Sequence, residues 1–108
     1  MTKHKVILVS WRDIPAQIMV GRGRKGHRAA LSERFEKAID RAAMRAGLRS
    51  SDAYMNEWRR EVIAEEEGKP AEIAARHAAR IEAEHDDERL RALALAEGRA
   101  EAANQAQG

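Results

Sequence analysis

The chain has 108 residues, with 20 Lys and Arg against 18 Asp and Glu, four His and no Cys. Its hydrophobic 44% contains 22 alanines and only 25 large apolar side chains, enough for one small core at roughly 1.5–3 kcal/mol per buried side chain. That length excludes barrels and doubly wound nucleotide folds, and the absence of cysteine excludes disulfides, zinc ribbons and thiol nucleophiles.

Val6-Ile7-Leu8-Val9, extended by Trp11, is a β-branched run that predicts a strand covered on both faces. Asp13-Ile14-Pro15 punctuates it, and Ile18-Met19-Val20 predicts a second strand, so an antiparallel hairpin is the simplest arrangement. Gly21 to Arg28 is too rich in glycine and charge for an element interior and is predicted to be a loop. Leu31, Phe35, Ala38, Ile39, Ala42 and Ala46 form one helical stripe, with Ser32 as N-cap and Gly47 just past the end. Ser51 and Asp52 cap a second, shorter helix whose Tyr54, Met55 and Trp58 share a face. Glu61-Val62-Ile63-Ala64 is either a third short strand or an extended strap.

Pro70 suits the first position of a further helix with the stripe Ile73, Ala74, His77, Ala78, Ile81. Asp86-Asp87 either interrupts that helix or caps another carrying Leu90, Leu93 and Ala94, and from Gly98 the chain is predicted to fray. The expected fold class is α+β: a small N-terminal antiparallel hairpin against two helices, followed by Ala-rich acidic C-terminal helices. The expected organisation is a core over 1–64, an acidic helical appendage over 65–97 packing on it, and a tail over 98–108.

Charge divides along the same line. Residues 1–30 carry a net +6, residues 31–60 a net +2 and residues 61–108 a net −6. Twenty of the 25 large apolar residues precede position 64. The first portion can build a core, and the second must lean on it.

Gly21-Arg22-Gly23-Arg24-Lys25-Gly26 formally matches the dinucleotide pattern G-x-G-x-x-G. That pattern needs a helix opening at its third glycine and a parallel sheet, and neither is predicted here. Arg22, Arg24, Lys25 and Arg28, beside His27, instead place four fixed positive charges within seven residues. Such a loop can hold phosphate, carboxylate or an acidic protein surface, or simply keep a hairpin edge solvated. It has no aromatic stacking residue, since Trp11, Phe35, Tyr54 and Trp58 fall on predicted core faces. Arg12 and Asp13 form a turn able to offer a bidentate donor and a carboxylate to a ligand, although a local turn-setting role is favoured.

His77 and His85 are eight apart, about 12 Å along a helix, too far to share a metal ion. The acidic runs Glu65-Glu66-Glu67 and Asp86-Asp87-Glu88 have the pattern of solvated faces, and no catalytic constellation is visible.

Trp11-Arg12-Asp13-Ile14-Pro15, Arg34-Phe35, Ala38-Ile39-Asp40-Arg41-Ala42-Ala43-Met44, Asp52-Ala53-Tyr54 and Trp58-Arg59, in that order, resemble the small bacterial virulence factor domain family. The likeness is close over residues 5–60, with a looser echo in Asp86-Asp87-Glu88-Arg89-Leu90. It implies a short cytoplasmic protein with no family catalytic residues to carry over and no cofactor. Free-standing alphaproteobacterial members lie near genes for methylenetetrahydrofolate reductase and corrinoid methyl transfer, which implies an accessory role in one-carbon metabolism. The expected function is a non-enzymatic interaction module for an acidic protein partner, such as a folate or corrinoid enzyme. The alternative is anion or nucleic-acid binding through the loop at 21–28. In either case no membrane association is expected, since nothing in the sequence approaches the ~20 apolar residues of a membrane span.

Overall fold

The structure, a computed structural model, describes residues 3–22, 24, 26–48 and 51–107, with side chains as far as Ala103. Strand β1 (Lys3–Trp11) runs into β2 (Ile14–Val20) through a tight turn at Arg12 and Asp13. Then follow β3 (His27–Ala30), α1 (Glu33–Arg45), α2 (Asp52–Asn56), β4 (Trp58–Glu67), α3 (Pro70–Glu84), α4 (Asp87–Leu95) and α5 (Ala100–Gln107). The four strands form one antiparallel sheet in the order β3-β2-β1-β4. This is the α+β class that the sequence predicts.

Alternation along β1 and β2 sends Val6, Leu8, Ile18 and Val20 to one face. There they meet Phe35, Ile39 and Ala42 of α1, Ile73, Ala74 and Ile81 of α3, and Leu90 and Leu93 of α4 in a single buried cluster. The alanines matter here: Ala42 and Ala74 are fully buried, so the helix axes can come close to their neighbours. The opposite face carries Ile7 between its cross-strand partners Met19 and Val62, and Val62 is exposed. The extents of 45 × 31 × 21 Å are those of one sheet and one helix layer.

Two strands depart from the sequence expectation. His27–Ala30, expected to end a loop and lead into the first helix, instead pairs as β3 with Gln17 to Val20. Its charge masks it, because an edge strand keeps a polar, solvated side. β4 is longer than the short strand over 61–64. It begins at Trp58, which pairs with Trp11, and continues through the three glutamates, where Lys3, His4 and Lys5 stand opposite Glu67, Glu66 and Glu65. The acidic run is therefore a strand matched by cross-strand charge rather than a solvated face alone. Trp58 leaves the second helix for β4, but its ring still meets Tyr54 edge to face at 6.2 Å. Met55, expected on the same face, is exposed.

The helix ends follow their residue chemistry with one exception. Ser51 and Asp86 accept the N–H groups of Tyr54 and Arg89, Pro70 opens α3, and Gly47 follows the α1 C-cap at φ 70°. Ser32 sits at the α1 N-cap position, but its side chain makes no capping bond. Its N–H and Oγ both reach the Glu82 carboxylate, at 2.6 and 2.8 Å. The segment after Gly98, expected to fray, forms α5 and buries Ala103.

Candidate functional site

The charged residues singled out from the sequence lie at opposite ends of β2. Arg12 and Asp13 form the β1–β2 turn, Arg22 and Arg24 belong to the β2–β3 connection, and Arg28 lies on β3 opposite Met19. Seven residues of β2 separate the two turns, a span of roughly 23 Å at about 3.3 Å per residue. They do not form one site.

Arg12 is turned inward. Its backbone is left-handed at φ 51°, and its side chain is only 9% exposed. Nη1 donates to the Glu97 carbonyl at 2.9 Å, Nη2 pairs with Glu57 at 3.2 Å, and the guanidinium lies 5.0 Å from the Trp11 ring centroid. The buried Nε has no acceptor among the described residues. Asp13 is engaged as well: its carboxylate pairs with Arg59 and accepts the Ala100 N–H at 2.8 Å, while its own N–H donates to the Gly98 carbonyl. Both side chains thus tie the β1–β2 turn to the start of β4 and to the α4–α5 junction.

The β2–β3 turn is different in character. Arg22, Arg24, His27 and Arg28 are exposed, and none of these arginines makes an ion pair among the described residues. The third glycine of the dinucleotide-like pattern, Gly26, leads into β3 and not into a helix, so the phosphate-binding geometry of that motif is absent. Lys25 and Gly23 lie outside the described residues.

Two titratable clusters escaped the sequence reading because they join distant segments. Glu66 of β4 bonds both Arg76 and His77 of α3, and the His77 bond, then Arg76, keeps the Glu66 carboxyl below its usual range despite some desolvation. Glu82 of α3 is opposed by desolvation, but bonds from Arg34 and Ser32 prevail and hold it low. Arg34 also pairs with Asp87 at 2.8 Å, and these two carboxylates raise its pKa further. His85 is buried against Phe35 with its Nδ1 2.9 Å from the Ile81 carbonyl, and desolvation pushes its pKa down. Among the described residues no group of three or more His, Asp or Glu is placed to hold a metal ion. No helix among them is long and apolar enough to cross a membrane.

The fold is an α+β arrangement of one antiparallel sheet and one helix layer, with Arg12 clasped at one end of β2 and Arg22 and Arg24 exposed beyond the other. Residues 9–94 match the model of the family described as Virulence factor, and the chain belongs to that family. The match spans β1 to α4 and so includes segments after residue 60, where the sequence likeness is looser. No curated protein and no solved structure matches the chain.

Proposed function

We infer that the protein is a non-enzymatic accessory module of the cytoplasm that docks on an acidic partner protein. One observation carries this reading: Arg22 and Arg24 of the β2–β3 turn and Arg28 of the adjoining edge strand β3 are exposed and without ion pairs among the described residues. Guanidinium groups left in this state are ready to fork onto carboxylates at little reorganisation cost. Arg12 and Asp13 support the proposed surface from inside, by fixing the other end of β2. The genomic setting of similar chains directs the search to folate and corrinoid enzymes of one-carbon metabolism.

The test is affinity purification of the tagged protein from its native host, beside an Arg22→Glu/Arg24→Glu/Arg28→Glu variant. A partner retained by the wild type and lost by the variant supports the reading. A partner held equally by both removes the turn from the interface.

A second reading rests on the same turn, with nucleic acid as the anion. Trp11 and Phe35 are buried, and Tyr54 and Trp58 pack against the core, so no aromatic platform adjoins these arginines. Binding would then be carried by phosphate pairing alone. Replacing any one of the three arginines would reduce the slope of log affinity against log salt by about 0.9 for duplex DNA. Unchanged affinity for RNA and DNA in the triple variant would discard it.

A further inference from the structure

A second cationic surface, separate from the β2–β3 turn, lies between α1 and α4. A groove of about 300 Å³ is lined by Arg41, Met44 and Arg45 of α1 and by Arg91, Ala94 and Leu95 of α4. It shares Arg41, Arg91 and Ala94 with a neighbouring hollow of about 200 Å³ that continues toward Lys37 and Leu90. Two of the four exposed large hydrophobic side chains among the described residues, Met44 at 56% and Leu95 at 53%, are in this groove.

The charges around it are unevenly committed. At one end Arg34 is held by Glu82 and Asp87, and Lys37 stands 3.7 Å from Glu33. At the other end Arg45 donates Nε to the Leu95 carbonyl at 3.2 Å. Arg41 and Arg91, which face each other across the groove, make no ion pair among the described residues.

We propose that the α1–α4 groove is a docking site for an amphipathic helix of a partner protein, with an apolar stripe flanked by acidic residues. Charge complementarity selects the flanks, because three arginines border the groove and Asp87 is the one acidic residue lining the paired hollows. The floor selects the stripe: Met44, Leu95 and Leu90 give an unbranched thioether and two leucines that fit side chains at i, i+3/i+4 and i+7. From Lys37 to Arg45 the groove runs about 12 Å along α1, so the matching helix needs just over two turns in contact with it. A phosphate chain would satisfy the arginines but leave Met44 and Leu95 in water, which is why a helix is favoured over nucleic acid.

The probe is a fluorescein-labelled synthetic peptide of about 14 residues, with leucines at i, i+3/i+4 and i+7 and glutamates beside them, followed by anisotropy. Three comparisons accompany it: the same peptide with Lys for Glu, the same peptide with Ser for Leu, and single-stranded DNA of equal charge. The acidic leucine peptide alone is expected to bind. Arg41→Glu/Arg91→Glu is expected to weaken it by about thirtyfold or more, and Leu95→Ser by about tenfold. Arg22→Glu/Arg24→Glu should leave binding unchanged, which separates this site from the partner surface proposed above. Amide resonances of wild-type α1 and α4 are expected to shift on titration, a readout independent of how the variants fold. No binding, equal binding of the DNA or the serine peptide, or shifts confined to the β2–β3 turn would each overturn the proposal. So would concentration-dependent self-association abolished by Leu95→Ser, since a second copy would then cover the groove.

Discussion

Asp13 shows what one residue can do when its partners are far away in the chain. The Asp-Ile-Pro punctuation makes the turn legible in sequence, but the Ala100 N–H it accepts is 87 positions distant. No local pattern reveals such a bond. There the carboxylate stands at the positive end of α5 and serves as an external cap. Asp13→Ala is therefore expected to cost about 1–2 kcal/mol and to speed hydrogen exchange at the first α5 amides, read by urea titration and mass spectrometry. Gly98 meets a related constraint. It sits at φ 85°, and a Cβ there would lie 3.1 Å from Cζ3 of the buried Trp11 ring. Gly98→Ala is expected to destabilise the fold by about 1–3 kcal/mol, with the loss read from the thermal midpoint. In sequence this glycine marks only the end of a helix; the approach of Trp11 is a tertiary fact.

Among the elements, the helices were legible because apolar periodicity and end residues agree, as in α1 from Phe35 to Ala43. The edge strands were less so. β3 has one alanine pair beside His27 and Arg28, and six of the ten residues of β4 are charged, so neither shows the apolar alternation that marks a strand. Their pairing is decided by β1 and β2. Helix α3 supplies a pH response at its C-terminal end. His85 is enclosed by Ile81, Phe35 and α4, with Arg89, Arg34 and Glu84 as its charged neighbours. Burial and the two arginines depress its pKa against the opposing pull of the Ile81 carbonyl and Glu84. The unfolded chain consequently takes up a proton that the folded one refuses. Stability is complete above about pH 6.5, the ordinary imidazole value, and falls as pH drops below it. The slope is no steeper than about 1.4 kcal/mol per pH unit. Urea midpoints between pH 7.5 and about 5.5 check this, and His85→Gln should flatten the decline. Glu82 acts lower, where acid neutralises the carboxylate that joins Ser32 and Arg34.

Over the whole molecule, the division into a basic front and an acidic back becomes a set of contacts. Arg34 reaches forward to Glu82 and Asp87, and Lys3 and Lys5 oppose Glu67 and Glu65 across β1 and β4. The near-neutral total thus arises from segments that attract each other. Raising salt from about 50 to about 500 mM is expected to lower stability by about 1 kcal/mol, since such pairs are largely exposed and screened. The urea midpoint at the two ionic strengths measures it. The candidate surfaces were only half legible. The arginine-rich turn is contiguous in sequence, whereas the α1–α4 groove joins Arg41 to Arg91 across fifty positions and has no linear signature.

The central place of β1 has a consequence for how the chain is made. β1 and β2 leave the ribosome before β4, yet among the described residues the other side of β1 is paired by β4 alone, whose first residue follows the last of β1 by 47 positions. At about 5–20 residues per second this interval lasts a few seconds. Throughout it Val6 to Val9 present an open, apolar strand edge, the form most prone to pairing with another chain. Lys3 and Lys5 at the start of β1 then have a second task besides meeting the glutamates: their charge keeps that edge apart from its copies until its own partner arrives.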